Sequence, residues 1–139
     1  MTIQPGLAHY RRTQVQSSSP LELVVMLYDG ALASMHAARA AIERRDVPAR
    51  RDALAKVLAI VNELQSTLNM AEGGDVAAAL DDLYAYVNSR LLQAAAENAV
   101  GPLDDALRVF ASLRDAWATI AAAPPGRAGG TSDPMRGAA

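Results

Sequence analysis

The stretch SPLELVVMLYDGALASMHAARAAIER, residues 19–44, decides the fold. Ser19 can cap a helix, Pro20 sits at the first helical position where its missing N–H is no loss, and Glu22 lies three residues after the cap. That is the pattern of a capping box with an N-terminal proline. No further proline follows before Pro48. At about 100° per residue, Val24, Tyr28, Ala31, Met35, Ala38 and Ile42 fall on one arc, the stripe of a core-facing helix.

The rest of the chain repeats the theme. Asp46, with Pro48 in the next turn, opens a second helix whose stripe is Leu54, Val57, Val61, Leu64 and Leu68. Gly73-Gly74 reads as its stop, and Asp75 as the cap of a third helix striped by Val76, Leu80, Tyr84, Val87, Leu91 and Ala94. Gly101-Pro102 reads as another break. A fourth helix then carries Leu103, Ala106, Phe110, Leu113 and Trp117 and ends before Pro124-Pro125. The expected spans are 20–44, 47–71, 75–98 and 102–122, within a bundle over 19–123. Residues 1–18, with Pro5, Gly6 and Ser17-Ser18-Ser19, read as an N-terminal arm. Residues 124–139, rich in Gly and Pro, read as a disordered C-terminal tail. Short connections favour antiparallel neighbours, so the expected fold is all-α, an up-down four-helix bundle.

Composition agrees. Of the 139 residues 51 % are hydrophobic yet only 4 % are aromatic, so alanine carries much of the apolar fraction. Alanine favours helices and serves sheets poorly. The protein has no cysteine, which removes disulfides, thiol catalysis and cysteine-bound metals. The net charge of −2 gives no drive toward nucleic acid or anionic lipid. MTIQPGLAHYRR does not read as a signal peptide, and no uninterrupted apolar run approaches the ~20 residues of a membrane span. The expectation is a cytoplasmic protein that is not membrane-embedded.

Chemistry is hard to place on this sequence. Carboxylate-bridged metal bundles need Glu-x-x-His pairs, and neither His9 nor His36 has a glutamate three residues earlier. There is no phosphate-binding loop after a strand. The reading is therefore no enzyme, no catalytic residue, no metal and no cofactor. One alternative shares the fold: a histidine phosphotransfer bundle, with His36 on the exposed line and Arg39 three residues on. A lone surface histidine is more often merely solvated, and Arg39 points nearer the core arc.

The first helix carries more apolar surface than a bundle requires. Opposite its core stripe lie Leu23, Met26, Leu27, Gly30, Ser34, Ala37 and Ala41, while Glu22, Asp29, His36 and Glu43 form a narrow polar line. An apolar surplus must be covered by the chain's own arm, through Leu7 and Tyr10, or by a partner; the other reading is a helix that is simply the most buried of four. Gly30 costs roughly 0.5–1 kcal/mol relative to alanine in mid-helix and, with Ser34, Ala37 and Ala41, would let another backbone approach.

Four blocks carry a resemblance. SSPLELVVMLYDGAL (Ser18–Leu32), LNMAEGG (Leu68–Gly74) followed by LDDLYAYVNSRLLQA (Leu80–Ala94), LRDAWATI (Leu113–Ile120) and the arm tyrosine Tyr10 resemble, in order and spacing, the FliS family of flagellin-specific export chaperones. Ala96-Glu97-Asn98-Ala99 departs from the family's usual asparagine-rich run. The resemblance implies a cytosolic chaperone that binds the C-terminal segment of flagellin. It further implies that premature polymerisation is prevented and that the substrate-loaded chaperone is brought to the cytoplasmic domain of the export-gate protein FlhA. It also implies an arm that lies over the substrate groove and is displaced by flagellin. On this reading the protein-binding residues are Leu23, Leu27 and Gly30, with Tyr10 as the displaceable cover and Tyr86 and Arg90 on the third helix. An ordinary exposed tyrosine is the other reading of Tyr86. Tyr84 and Trp117 are assigned to the core. Asp29 either orients the arm or is only solvated. A homodimer stays open beside the monomer.

Overall fold

The computed structural model describes residues 19–123. Four helices fill them: α1 (Pro20–Glu43), α2 (Val47–Ser66), α3 (Met70–Glu97) and α4 (Val100–Ala122). Each packs on its neighbours in sequence and α4 closes on α1, so α1 and α3 stand diagonally across the bundle. This is the antiparallel up-down architecture that short connections dictate. The expected arm and tail lie outside the described residues.

Local chemistry sets the helix ends. Ser19 Oγ accepts the Glu22 backbone N–H at 3.1 Å and stands 3.0 Å from the Glu22 carboxylate, fixing the start of α1. Arg44–Asp46 ends it: Arg45 N–H reaches the Ile42 carbonyl at 3.1 Å and Asp46 N–H the Ala41 carbonyl at 2.9 Å. That is a Schellman closure, with Arg45 in the left-handed position at φ 60° where glycine is usual. Asp46 then caps α2 by accepting the Ala49 N–H at 3.1 Å.

The α2–α3 corner differs from the sequence expectation. α2 ends at Ser66, not near 71, and Asn69 rather than Asp75 caps α3, accepting the Glu72 N–H at 2.9 Å. The glycine pair is a kink inside α3: Gly74 alone leaves helical geometry, at φ 53° and ψ −130°. The second glycine-proline signal also resolves differently. Gly101 and Pro102 lie inside the first turn of α4, where the absent N–H has no intrahelical partner to lose.

The core is the set of stripes. Val24, Tyr28, Ala31, Met35, Ala38 and Ile42 meet Leu54, Val57, Val61, Leu64, Leu80, Tyr84, Val87, Leu91, Ala94, Leu103, Ala106, Phe110 and Trp117. Leu68 and Leu113 pack against it half-buried. Val76 is the exception: it is 53 % exposed, and beside the Gly74 kink Ala77 is turned inward instead. At the centre the Tyr28 and Tyr84 hydroxyls meet at 2.6 Å. The Phe110 ring lies 4.6 Å from that of Tyr28 and edge-on to that of Tyr84 at 6.1 Å. Burial holds the Tyr28 phenol above the usual tyrosine range, partly offset by its hydrogen bond with Tyr84. Burial, with the neighbouring Tyr28 oxygen, raises Tyr84 as well.

The seams are held in three ways. Arg39–Asp104 at 2.9 Å and Arg114–Asp29 at 2.8 Å tie α1 to α4, and Arg90–Asp105 at 2.7 Å ties α3 to α4. Along α2–α3 the ties are largely amide-based: Arg50–Asn98 at 2.6 Å, Asn62–Asn88 at 3.4 Å and Gln65–Asp81 at 2.9 Å. Between α1 and α2 the contact is apolar where Gly30 faces Ile60. By length and composition α1 is apolar enough to cross a membrane. Its buried residues here form part of the bundle core.

Candidate protein-binding surface

Leu23 and Leu27 lie one turn apart on α1, both half-buried, with Leu27 packed against the core and Met26 between them 36 % exposed. Antiparallel topology puts the start of α1, the end of α2, the start of α3 and the end of α4 at one end of the bundle. Three more large apolar side chains are exposed in those segments: Met70 at 50 %, Val76 at 53 % and Ile120 at 45 %. The surplus expected for α1 is thus a property of a whole bundle end. Nothing in the α1 pattern could reveal Met70 or Ile120, and Val76 read as core.

The small-residue line on α1 has another role. A Cβ added at Gly30 would stand 3.6 Å from Ile60 Cδ1 of α2, and Ala41 is buried. Gly30 therefore faces the bundle's own second helix, at a distance where an alanine methyl would also fit. Of the expected contact residues on α1, Leu23 and Leu27 flank the apolar end, and Gly30 faces inward to α2. Tyr10 lies outside the described residues.

Tyr86 and Arg90 lie one turn apart on α3, diagonal to α1, so they do not share a face with Leu23 and Leu27. Tyr86 is 44 % exposed. Arg90 is engaged: its Nη2 donates to Asp105 of α4 and its Nη1 to Gln93. Asp29, considered for orienting the arm, accepts from Arg114. Among the described residues no group of His, Asp and Glu is arranged to hold a metal ion.

A bundle whose polar side chains tie its own seams, and which exposes Met26, Met70, Val76 and Ile120 toward one end, has the form of a small all-helical binding protein. Comparison with known proteins makes this specific. The family model described as "Flagellar protein FliS" matches residues 3–124, and the chain belongs to that family. It is 36 % identical over 120 residues to the flagellar secretion chaperone FliS of Salmonella typhimurium, covering 83 % of this protein and 89 % of the relative. To that of Bacillus subtilis it is 34 % identical over 117 residues, covering 84 % and 86 %. To that of Vibrio cholerae it is 33 % identical over 108 residues, covering 78 % and 79 %.

This is a family of secretion chaperones, not of enzymes. The phosphotransfer alternative gains no support from it. His36 is exposed, and Arg39, the basic residue that would attend it, is bound to Asp104 and Glu43 at 2.9 and 3.0 Å.

Proposed function

We propose that this protein holds the C-terminal segment of flagellin in the cytosol. It would keep that segment from polymerising and present it to the cytoplasmic domain of the export-gate protein FlhA. The observation that carries this reading is the apolar bundle end, Leu23, Met26, Leu27, Met70, Val76 and Ile120, on a member of the flagellar secretion chaperone family. Exposed apolar surface of this kind marks an interaction site.

The physics of the task suits such a surface. A segment destined to pack as a helix in a filament core is itself amphipathic, and its apolar face needs cover until assembly. Helix-in-groove contact supplies that cover. Folding on binding lowers the affinity per unit area but lets a long polypeptide wrap a small body, and release needs no nucleotide. Tyr10 on the preceding arm is the proposed displaceable cover, with Tyr86 a second, outlying contact on α3. A second copy of the protein would compete for the same apolar end.

Co-purification tests the reading. The protein should retain full-length flagellin and lose flagellin truncated at its C-terminal segment. Equal retention of both would place the contact elsewhere on flagellin, and retention of neither would remove flagellin as the substrate.

A further inference from the structure

The charges of the bundle are sorted along its axis. In the half that carries the apolar end, residues 20–31, 57–83 and 112–123, every charged side chain but Arg114 is a carboxylate, and Arg114 is bound to Asp29. The other cations of the described residues all lie in the opposite half. There Arg39, Arg44, Arg90 and Arg108 are held in ion pairs, and Arg50 donates to the neutral Asn98. Arg45, Arg51 and Lys56 are exposed, and their side chains make no hydrogen bond or ion pair among the described residues.

The cations without a carboxylate partner therefore gather in residues 45–56, where α1 turns into α2. The carboxylates of that stretch do not neutralise them, since Asp46 caps α2 and pairs with Arg44, leaving only Asp52. Two further features single this corner out. Arg45 stands at φ 60°, a left-handed conformation that glycine adopts freely and a side chain disfavours. The turn keeps a guanidinium where glycine would fold better, and a backbone outlier of this kind points to a role outside the fold. Val47 is 42 % exposed, and Arg50 and Arg51 lie one turn on from it along α2. An apolar side chain thus stands among guanidinium groups.

We propose that the α1–α2 corner is a docking surface of its own, which takes an acidic polypeptide segment. Its carboxylates would meet Arg45, Arg50 and Arg51, and an apolar side chain would rest on Val47. The planar guanidinium matches a carboxylate with two parallel N–H donors. A short segment can lie on these cations alone, whereas a nucleic acid or a lipid surface would also meet Glu43, Asp52 and Glu97, all exposed in the same half. This surface goes beyond the holding of flagellin and does not depend on it. α2 is 20 residues long, about 30 Å at helical rise, so the corner stands roughly one bundle length from the apolar end and both can be filled at once.

The test is an NMR titration of the full-length, nitrogen-15-labelled protein with a short synthetic peptide of glutamates around a central leucine. Its lysine counterpart, inorganic phosphate and phosphatidylglycerol vesicles are run beside it. The glutamate peptide should shift the amides of residues 44–52 saturably, and salt at about 0.5 M should screen the effect away. Arg45→Gly relieves the backbone, so it should melt no lower than the parent yet bind the peptide about threefold more weakly, as expected for one exposed ion pair. Arg45→Gly combined with Arg51→Gln should bind about tenfold more weakly. Arg108→Gln, on α4 across the bundle from α2, should bind as the parent does. Equal shifts with the lysine peptide, shifts with phosphate or vesicles alone, or no shift at all would overturn the proposal. So would unchanged peptide binding by the double variant.

Discussion

Replacing Tyr28 by phenylalanine removes one hydroxyl from the centre of the bundle and strands another. Tyr84, fully buried, pairs its hydroxyl only with that of Tyr28 at 2.6 Å among the described residues. Tyr28, equally buried, likewise pairs its hydroxyl only with that of Tyr84 among the described residues. The two single substitutions should therefore cost about the same. A stranded buried hydroxyl costs about 1–3 kcal/mol, so Tyr28→Phe should destabilise by about 2 kcal/mol. Tyr84→Phe, which strands the Tyr28 hydroxyl in the same way, should destabilise by about 2 kcal/mol as well. The double substitution removes both hydroxyls together and should cost less than the sum, because no unpaired group remains. Urea unfolding followed by circular dichroism measures all three. With about 4 °C or more lost per kcal/mol in a domain near this size, Tyr28→Phe should also melt roughly 8 °C lower. Strict additivity within about 0.5 kcal/mol, the behaviour of independent sites, would refute the pairing.

Three more outcomes follow from the same geometry. Gly74→Ala should destabilise by about 1–3 kcal/mol in the same urea assay: space is open around the added methyl, but φ 53° disfavours any side chain. Gly30→Ala should be neutral or stabilising by up to about 1 kcal/mol, since its methyl meets Ile60 at ordinary contact distance, whereas Gly30→Leu should pry α1 from α2 and lower the melting temperature. Because burial raises the folded-state values of Tyr28 and Tyr84, their contribution is complete below the unfolded tyrosine value of about 10 and is lost as pH climbs above it. Tyrosinate absorbance from these two residues should therefore appear only together with loss of helicity.

The element types were legible because each helix advertises itself twice, by a periodic stripe and by punctuation at its ends. Ser19-Pro20 and Asp46 with Pro48 worked as read. The α2–α3 corner did not, because Gly73-Gly74 is louder than Thr67-Leu68-Asn69. Yet a glycine pair need bend only one residue, and an asparagine side chain caps as well as an aspartate. Gly101-Pro102 misled for the opposite reason: proline in a first turn is compatible with a helix, so a break signal stood inside one.

The candidate surface was legible only in part. Periodicity assigns Gly30 to a face but not to a neighbour, and the neighbour proves to be α2. Arg90 could not be read as occupied, because Asp105 lies on another helix and only the packing joins them. Met70 and Ile120 become one surface with Leu23 through topology alone. Family resemblance supplied what side-chain patterning could not: the kind of partner proposed for such a surface.

Filament growth from purified flagellin monomers, seeded with filament fragments and followed by light scattering, tests that last point most directly. An equimolar amount of this protein should arrest elongation, and replacing Leu23 and Leu27 by alanine should restore much of it. Elongation at the same rate with and without the protein would contradict the account.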